Sequence, residues 1–194
     1  MVEYGNTLGI TFFASVWDLD SARLMSKYTK VAKLGSASIT DEELCKLTRE
    51  LFEFVIISTG MSTEEEIEKA VIDSDPDVIM HTNSTYPCPP EELNLRYIEH
   101  LQKKFPSKMI GYSGHEQEIA TTIAAQALGA SWIERHFTLD KTMWGSDHKS
   151  SIDPNELKIL LQSIRDVEKS LQYPPGPRKQ FEKENIKKKS LRKI

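Results

Sequence analysis

The stretch that sets the fold is residues 109–137, MIGYSGHEQEIATTIAAQALGASWIERHF. A run of β-forming residues at Met109–Tyr112 is followed by an apolar helical pattern that continues to Gly129, a residue that favours the end of a helix. A second β-rich run, Trp132–Phe137, comes directly afterwards. This order of strand, helix and strand predicts two parallel strands joined by a helix that covers them.

The same unit recurs in both directions along the chain. Four more β-rich runs precede the first one, at Ile10–Ser15, Val31–Gly35, Phe54–Ser58 and Val78–Thr82. Amphipathic helices are predicted between them and after the last strand. The predicted starts are Thr40 with Glu43 as a capping box, Ser62 with Glu65 in the same relation, Asn94 for a helix to Lys103, and Asp153 as the cap before Pro154.

Six strands that alternate with helices indicate a parallel sheet, either an open doubly wound sheet or a barrel. No G-x-G-x-x-G motif follows a strand. Polar residues instead recur at the carboxyl ends of the strands, at Ser15, Ser36, Ser58, Ser84, Ser113 and His136. In a barrel these ends converge on one face, where active sites are built. We therefore predict an α/β fold of the (β/α)8 TIM-barrel type, partial, with about six βα units corresponding to strands 3–8. Met1–Leu8 reads as the end of a helix that belongs to a preceding unit.

Composition and charge restrict the function classes. The formal net charge is −4, which argues against a general nucleic-acid binder, but residues 178–194 carry +6 and residues 1–177 carry −10. We divide the chain into a catalytic domain at 1–172 and a basic linker or tail at 173–194. Apolar runs are too short for a membrane span, no signal peptide opens the chain, and Cys45 and Cys88 lie far apart. The expectation is a soluble cytoplasmic protein that binds neither membrane nor nucleic acid.

Several charged residues lie at positions that a barrel strand normally gives to Val, Ile or Leu. Glu134 and His136 share one face of the last strand, and Lys33 lies inside another. If they point into the barrel, Lys33 supplies a cation for a phosphate or carboxylate, and His136 lies near His115 at the end of the adjacent strand. Two imidazoles would form half a set of ligands for a divalent metal. The alternative is that these side chains face outward, or that Lys33 lies at a surface strand end.

The segment after the last strand, residues 138–148, is a long loop that contains Trp144, Gly145 and Asp147. Loops in this position carry binding residues on barrels, and these residue types suit a lid over a sugar. An ordinary exposed loop is the alternative.

Read together, these segments resemble the sialic acid synthase family, whose members condense phosphoenolpyruvate with an N-acylmannosamine-type sugar to give a nonulosonate and phosphate. The matching motifs run in family order across about residues 8–172: Ile57–Met61, Thr85–Pro87, Glu92–Arg96, Ile110–His115, Glu134–Lys141 and Gly145–His148. The combination is more specific than any one of the motifs.

The resemblance implies a role for each matching position. His115 and His136 match the protein ligands of a divalent metal, typically Mn²⁺, with Mg²⁺ or Co²⁺ as alternatives. Positions that contact phosphoenolpyruvate are Lys33, Ser15, Ser36, Ser58 and Ser113. Tyr86, Glu134 and Asp147 match positions around the acceptor sugar, and Ser84 falls where the family has Asn or Ser. Glu134 and Lys33 are the predicted catalytic residues, and family members form homodimers.

Departures from the family leave alternatives open. After Ser36 the chain has Ala37-Ser38 where the family commonly has Gly-Glu, which removes one acidic side chain. The first two barrel strands and the C-terminal antifreeze-like domain of the family have no counterpart in this sequence. The alternatives are another synthase that condenses phosphoenolpyruvate with an aldose, such as a sugar phosphate, and an inactive remnant that binds ligand without turnover.

Overall fold

The computed structural model describes residues 1–192 as eight helices and six parallel strands. The strands are β1 Ala14–Val16, β2 Val31–Leu34, β3 Phe54–Ser58, β4 Val78–Thr82, β5 Met109–Gly114 and β6 Trp132–Arg135. The helices are α1 Val2–Thr7, α2 Leu19–Met25, α3 Glu42–Leu51, α4 Glu64–Ser74, α5 Tyr97–Lys104, α6 Ala120–Ala127, α7 Pro154–Ser170 and α8 Glu182–Arg192. Short 3-10 helices lie at Pro90–Glu92 and Asp147–Ser150.

The strand order decides between the two predicted sheet types. All six strands are parallel and pair in chain order, from β1 at one edge to β6 at the other. Crossovers between parallel strands are right-handed, so an order without a reversal places the helices that connect successive strands on the same face of the sheet. A doubly wound sheet reverses its strand order at a switch point, and this sheet does not. The doubly wound alternative is therefore wrong.

The sheet is also curled. Lys33 on β2 contacts Glu134 on β6, although three strands lie between them. Four strand spacings of about 4.8 Å would separate them by roughly 19 Å across a flat sheet, which is farther than the two side chains can reach. The contact requires the inner face to close upon itself as in a barrel. The prediction of six parallel βα units in a partial barrel is confirmed to this extent.

Successive side chains along each strand point to opposite faces of the sheet, and apolar side chains form one cluster on each face. The larger one lies between sheet and helices and includes Leu34, Val55, Ile57 and Ile79 from the strands with Leu44, Ile67, Ile98 and Leu101 from the helices. The smaller one fills the inside of the curl, where Ile56, Val78 and Met80 pack against Phe13, Val31, Phe54 and Trp132. Lys33 and Glu134 belong to this inner face, at its carboxyl end.

Several predicted boundaries were wrong by one to four residues. Helix α3 is capped by Asp41, whose carboxylate accepts from Leu44 N–H at 3.0 Å, and α4 is capped by Thr63 with Glu66 as the capping box. Both caps lie one residue after the predicted Thr40 and Ser62. β1 begins at Ala14 because only residues 14–16 pair with β2. The Asp153 cap is confirmed, with Glu156 completing the box.

The helix α6 is shorter than its apolar pattern, and the tail is exposed. The pattern continues to Gly129, whereas α6 ends at Ala127 and buries Thr122 and Ala125. The predicted tail contains the fully exposed helix α8, and its last residues, Lys193 and Ile194, lie outside the described part of the chain. Among residues 1–192, no helix is long and apolar enough to cross a membrane.

Candidate active site

An open cavity of about 510 Å³ lies at the carboxyl ends of the strands, inside the curl of the sheet. The predicted site residues that line it are Ser15, Lys33, Ser36, Ser58, Ser84, Tyr86, Ser113, His115, Glu134 and His136. These residues come from six separate strand ends, so their convergence follows directly from a parallel sheet curled around one axis. The structure shows that these residues lie together, and the chemical role of each one stays a prediction.

In the cavity, Glu134 on β6 binds one partner from the neighbouring strand β5 and one from β2, across the curl of the sheet. Its carboxylate pairs with the Lys33 ammonium and accepts a hydrogen bond from the Ser113 hydroxyl at 2.8 Å. Burial by itself raises the pKa of Glu134, but Lys33, Ser113 and the nearby His136 together outweigh burial and hold that pKa below its ordinary value. Glu134 is thus ionised at neutral pH and acts as a hydrogen-bond acceptor.

The serines form a second polar wall around Gly60. The Gly60 N–H donates to the Ser36 hydroxyl at 3.0 Å, and a side chain at residue 60 would overlap the hydroxyls of Ser36 and Ser84. A glycine is required there because the backbone approaches both serines closely. The Ser58 hydroxyl is buried and has no hydrogen-bond partner within residues 1–192. A buried hydroxyl without a partner at a cavity wall is available to a ligand.

The two candidate metal ligands lie side by side. The ring centroids of His115 and His136 are 5.2 Å apart, and the ring of Tyr86 lies 3.9 Å from that of His115. The Asn83 carbonyl can only accept, so the His115 nitrogen facing it, Nδ1, carries the proton. The other nitrogen, Nε2, accepts from the Tyr86 hydroxyl at 2.7 Å. This arrangement fixes the tautomer that presents Nε2 as a ligand.

The protonation of His115 also suits a metal ligand. Burial lowers the pKa of His115, and the nearby His136 lowers it further, while Asn83 and Glu134 oppose this effect. A neutral imidazole is the form that coordinates metals. Across residues 1–192, no group of three or more His, Cys, Asp or Glu side chains is arranged to hold a metal. The donors present therefore fit a site with two protein ligands, with water or substrate oxygens completing the coordination.

Asp147 is the one predicted site residue that does not line the cavity. It begins the 3-10 helix Asp147–Ser150 and accepts from its neighbour Ser146 at 2.7 Å. Burial raises the pKa of Tyr86, and the charges of Asp147 and Glu134 raise it further. Trp144 is 97% exposed, so the predicted lid does not cover the cavity in this structure.

Sequence reasoning missed a buried ion pair behind the histidines. Arg135 lies on the outer face of β6 and pairs there with Glu116, and neither residue is among the predicted site residues. The available signal was the one used for Lys33, because an arginine within a parallel strand is seldom a packing choice. Trp17 and Met61 also line the cavity and were not predicted.

The fold and the site define a class of protein: a partial (β/α)-barrel with a lysine, a carboxylate and paired imidazoles at the carboxyl ends of its strands. The chain belongs to the NeuB family, whose sequence model matches residues 1–174. The predicted family resemblance is confirmed.

The relatives include proteins named as N-acetylneuraminate-9-phosphate, N,N'-diacetyllegionaminic acid and pseudaminic acid synthases. The chain is 39% identical over 177 residues to the N-acetylneuraminate-9-phosphate synthase of Homo sapiens, covering 89% of this chain and 49% of that protein. It is 36% identical over 179 residues to the N,N'-diacetyllegionaminic acid synthase of Campylobacter jejuni, covering 88% and 53%. The chain thus spans about half the length of the curated relatives it matches.

Solved structures agree with this family. The N-acetylneuraminic acid synthetase from Leptospira borgpetersenii, in complex with citrate, superimposes with a TM-score of 0.88 at 30% identity, covering 99% of this chain and 69% of that one. A truncated 3-deoxy-D-arabino-heptulosonate 7-phosphate synthase from Thermotoga maritima gives a TM-score of 0.72 at 18% identity, a likeness of fold alone.

Proposed function

We propose that this protein condenses phosphoenolpyruvate with an N-acylmannosamine-type sugar, giving a sialic-acid-type nonulosonate and phosphate. The proposal includes a divalent metal, Mn²⁺ in the first place, with Mg²⁺ or Co²⁺ as alternatives. The observation that carries it is the single cavity in which the Lys33–Glu134 pair, the unpartnered Ser58 hydroxyl and the two imidazoles converge. Membership of the NeuB family supports the same reaction class.

Lys33 and the serines suit the phosphoenolpyruvate half of the reaction. This substrate carries a phosphate and a carboxylate, and the Lys33 ammonium is a cation with a side chain only 13% exposed. The Ser58 hydroxyl would gain the hydrogen bond it lacks by donating to a substrate oxygen. Binding energy used in this way orients carbon 3 of phosphoenolpyruvate towards the aldehyde of the open-chain sugar.

The reaction then forms one carbon–carbon bond and one carbon–oxygen bond to water, and it breaks one carbon–oxygen bond to phosphate. Carbon 3 attacks the aldehyde carbon, water adds at carbon 2, and the resulting tetrahedral intermediate loses phosphate by cleavage of its C–O bond. Glu134, ionised and held by Ser113, can orient the attacking water or an acceptor hydroxyl by accepting its hydrogen bond. When a substrate anion shares Lys33, Glu134 loses part of that stabilisation, so its pKa rises and it becomes a better base.

His115 and His136 would hold the metal ion. When bound, it supplies Lewis-acid polarisation of the sugar aldehyde. Because the Tyr86 hydroxyl donates to Nε2 of His115, coordination through that nitrogen requires Tyr86 to release it. The released hydroxyl is then free to bind the acceptor sugar, which is the role that we propose for Tyr86. Asp147 and the 138–148 loop are proposed to complete the sugar subsite.

The acceptor is proposed to be an unphosphorylated N-acyl sugar. The cationic side chains that line the cavity, within the part of the chain described, are Lys33 and Arg135, and Arg135 faces away from it in a buried ion pair. A sugar phosphate would need a second cation beside Lys33. A cytoplasmic location and a homodimer, as in the longer members of the family, are parts of the same proposal.

Phosphate release from phosphoenolpyruvate tests the function directly. The chain is assayed with N-acetylmannosamine and Mn²⁺, beside His115→Ala and a matched control, His100→Ala, which removes an exposed imidazole on α5. We expect Mn²⁺-dependent release by the unmodified chain and by His100→Ala, and a loss of at least 100-fold in His115→Ala.

Other outcomes separate the alternatives. Release with a sugar phosphate but not with N-acetylmannosamine would favour a sugar-phosphate synthase. Binding of phosphoenolpyruvate, measured by calorimetry, without turnover on any acceptor would favour an inactive ligand-binding protein.

A further inference from the structure

A buried ion pair between Glu116 and Arg135 lies behind the two histidines, on the helix-facing side of the sheet. The side chains are 3% and 2% exposed, and Arg135 Nη1 lies 3.3 Å from a Glu116 carboxylate oxygen. Glu116 directly follows His115 in sequence, and Arg135 directly precedes His136. The pair therefore connects the two chain segments that carry the imidazoles.

The Glu116 carboxylate is fixed by several hydroxyl donors besides Arg135. It accepts from Tyr112 at 2.9 Å, from Thr121 at 3.1 Å and from Thr122. A side chain at Gly114 would overlap this carboxylate, so the glycine leaves the space into which Glu116 folds back against β5. Glu116 is thereby tied to β5 on one side and to α6 on the other.

The Arg135 guanidinium distributes its donors over three segments. Nη1 donates to the Thr122 hydroxyl at 2.8 Å and to the Glu118 carbonyl at 3.1 Å. Nη2 donates to the Glu116 carbonyl and to the Ser150 carbonyl at 3.3 Å. One planar fork thus joins β6 to the start of α6 and to the loop that follows β6, a geometry that lysine cannot reproduce.

The backbone ladder does not hold the histidines together. Pairing between β5 and β6 ends at Gly114 and Arg135, one residue before each imidazole. Beyond that point the His115 carbonyl accepts from Cys88 N–H at 3.0 Å and the His136 carbonyl from Ile152 N–H at 2.8 Å, so the two segments turn to different neighbours. The Glu116–Arg135 pair is the side-chain link that crosses this gap.

We propose that Glu116 and Arg135 are positioning residues that set the separation of His115 and His136. The proposal rests on the metal site of the proposed function. The pair acts through the backbone, since each member is covalently adjacent to one ligand, and it maintains the 5.2 Å between the two rings. A two-ligand site depends strongly on this spacing because, within residues 1–192, no third His, Cys, Asp or Glu side chain is arranged to complete it.

Binding of Mn²⁺ by the metal-free chain, measured by isothermal titration calorimetry, tests this role without relying on turnover. The variants are Arg135→Lys, Glu116→Gln and the apolar double variant with Met at both positions. The double variant removes both charges together, so it avoids leaving one buried charge without a partner. The control is Arg49→Lys, which alters an arginine–carboxylate pair with Asp77 at 3.1 Å that is more exposed than the Glu116–Arg135 pair and lies at the opposite end of the strands.

We expect each of the three site variants to bind Mn²⁺ about 10- to 100-fold more weakly, while Arg49→Lys keeps the affinity of the unmodified chain within twofold. Thermal unfolding of each metal-free variant shows whether it is folded. Folded Arg135→Lys, Glu116→Gln or double variants with unchanged Mn²⁺ affinity would overturn the proposal. Failure of all three to fold, while Arg49→Lys folds, would also overturn it, because the pair would then support the fold as a whole.

These outcomes are distinct from a failure of the proposed function. If the unmodified chain binds no Mn²⁺, Mg²⁺ or Co²⁺, the metal site itself is rejected. If it binds one of them and the variants bind equally well, only the positioning role is rejected.

Discussion

The Lys33–Glu134 pair gives the sharpest quantitative prediction. The perturbation is a double-mutant cycle with Lys33→Met, Glu134→Gln and the two combined. Isolating the coupling in this way removes the effects that each substitution has by itself. The same cycle on Lys46 and Glu42, paired at positions i and i+4 on α3, provides the control.

The solvent exposure of the paired side chains sets the expected coupling free energy. Hydrogen bonds to charged groups contribute about 1.5–3 kcal/mol when they are buried. The side chains of Lys33 and Glu134 are 13% and 36% exposed, so solvent screening places their coupling near the lower end, at about 1.5–2 kcal/mol. The control side chains are 53% and 50% exposed, so their coupling is expected to be clearly smaller.

Urea unfolding at pH 7, followed by circular dichroism, measures both couplings. Repeating it in 0.5 M salt should reduce the control coupling more than the Lys33–Glu134 coupling, because partly buried charges are screened less. A Lys33–Glu134 coupling no larger than that of the control would refute the assignment of this pair to a half-buried cavity floor. It would also weaken the argument that Glu134 depends on Lys33 for its lowered pKa.

Three further predictions concern other parts of the molecule. Ser58→Ala should raise the free energy of unfolding by about 1 kcal/mol, because it removes a buried hydroxyl without a protein partner, and a destabilised variant would contradict this. The same variant should bind phosphoenolpyruvate more weakly in calorimetry. Burial raises the pKa of Cys45 and of Cys88 to about 11, so at pH 8 roughly one thiol in a thousand is ionised. Ellman's reagent should therefore react quickly with these thiols only in urea, and fast labelling of the native chain would contradict this. Lys104, with Tyr97 and His100, lowers the pKa of Glu64 from 4.5 to about 2, so this carboxylate stabilises the fold above pH 4.5 and loses that effect as the pH falls towards 2. Lys104→Met should therefore cost about 0.5 kcal/mol at pH 7 and progressively less between pH 4.5 and 2 in thermal unfolding, whereas a constant difference would argue against the link.

Local pattern was sufficient to locate most elements. The strands Phe54–Ser58 and Val78–Thr82 were predicted at their observed bounds, because alternation and composition act over a few neighbouring residues. The helix caps were less certain for a physical reason. Thr40 and Asp41 can each accept the capping hydrogen bond, and only the path of the chain selects Asp41.

In the candidate site, too, some features follow from local pattern and others only from tertiary contacts. Parity along β6 placed Glu134 on the same face as His136, but it left open whether that face points into the barrel. The structure places Glu134 on the inner face and Arg135 on the outer one. The partners of these residues could not be derived similarly, since Lys33 and Glu134 are far apart in sequence and meet only because the sheet curls. Glu116 was missed because its role depends on the space left by Gly114 and on the position of Arg135.

The sequence by itself determined the repeating strand–helix unit, the family motifs and the polar residues at the strand ends. Those features are local, being set by the side-chain period of each element and by residue type. The tertiary structure decided that the sheet curls instead of winding doubly, that Asp147 lies outside the cavity wall, and that His115 and His136 are 5.2 Å apart. Those outcomes depend on the order in which strands pair and on contacts between distant segments, which no local pattern encodes.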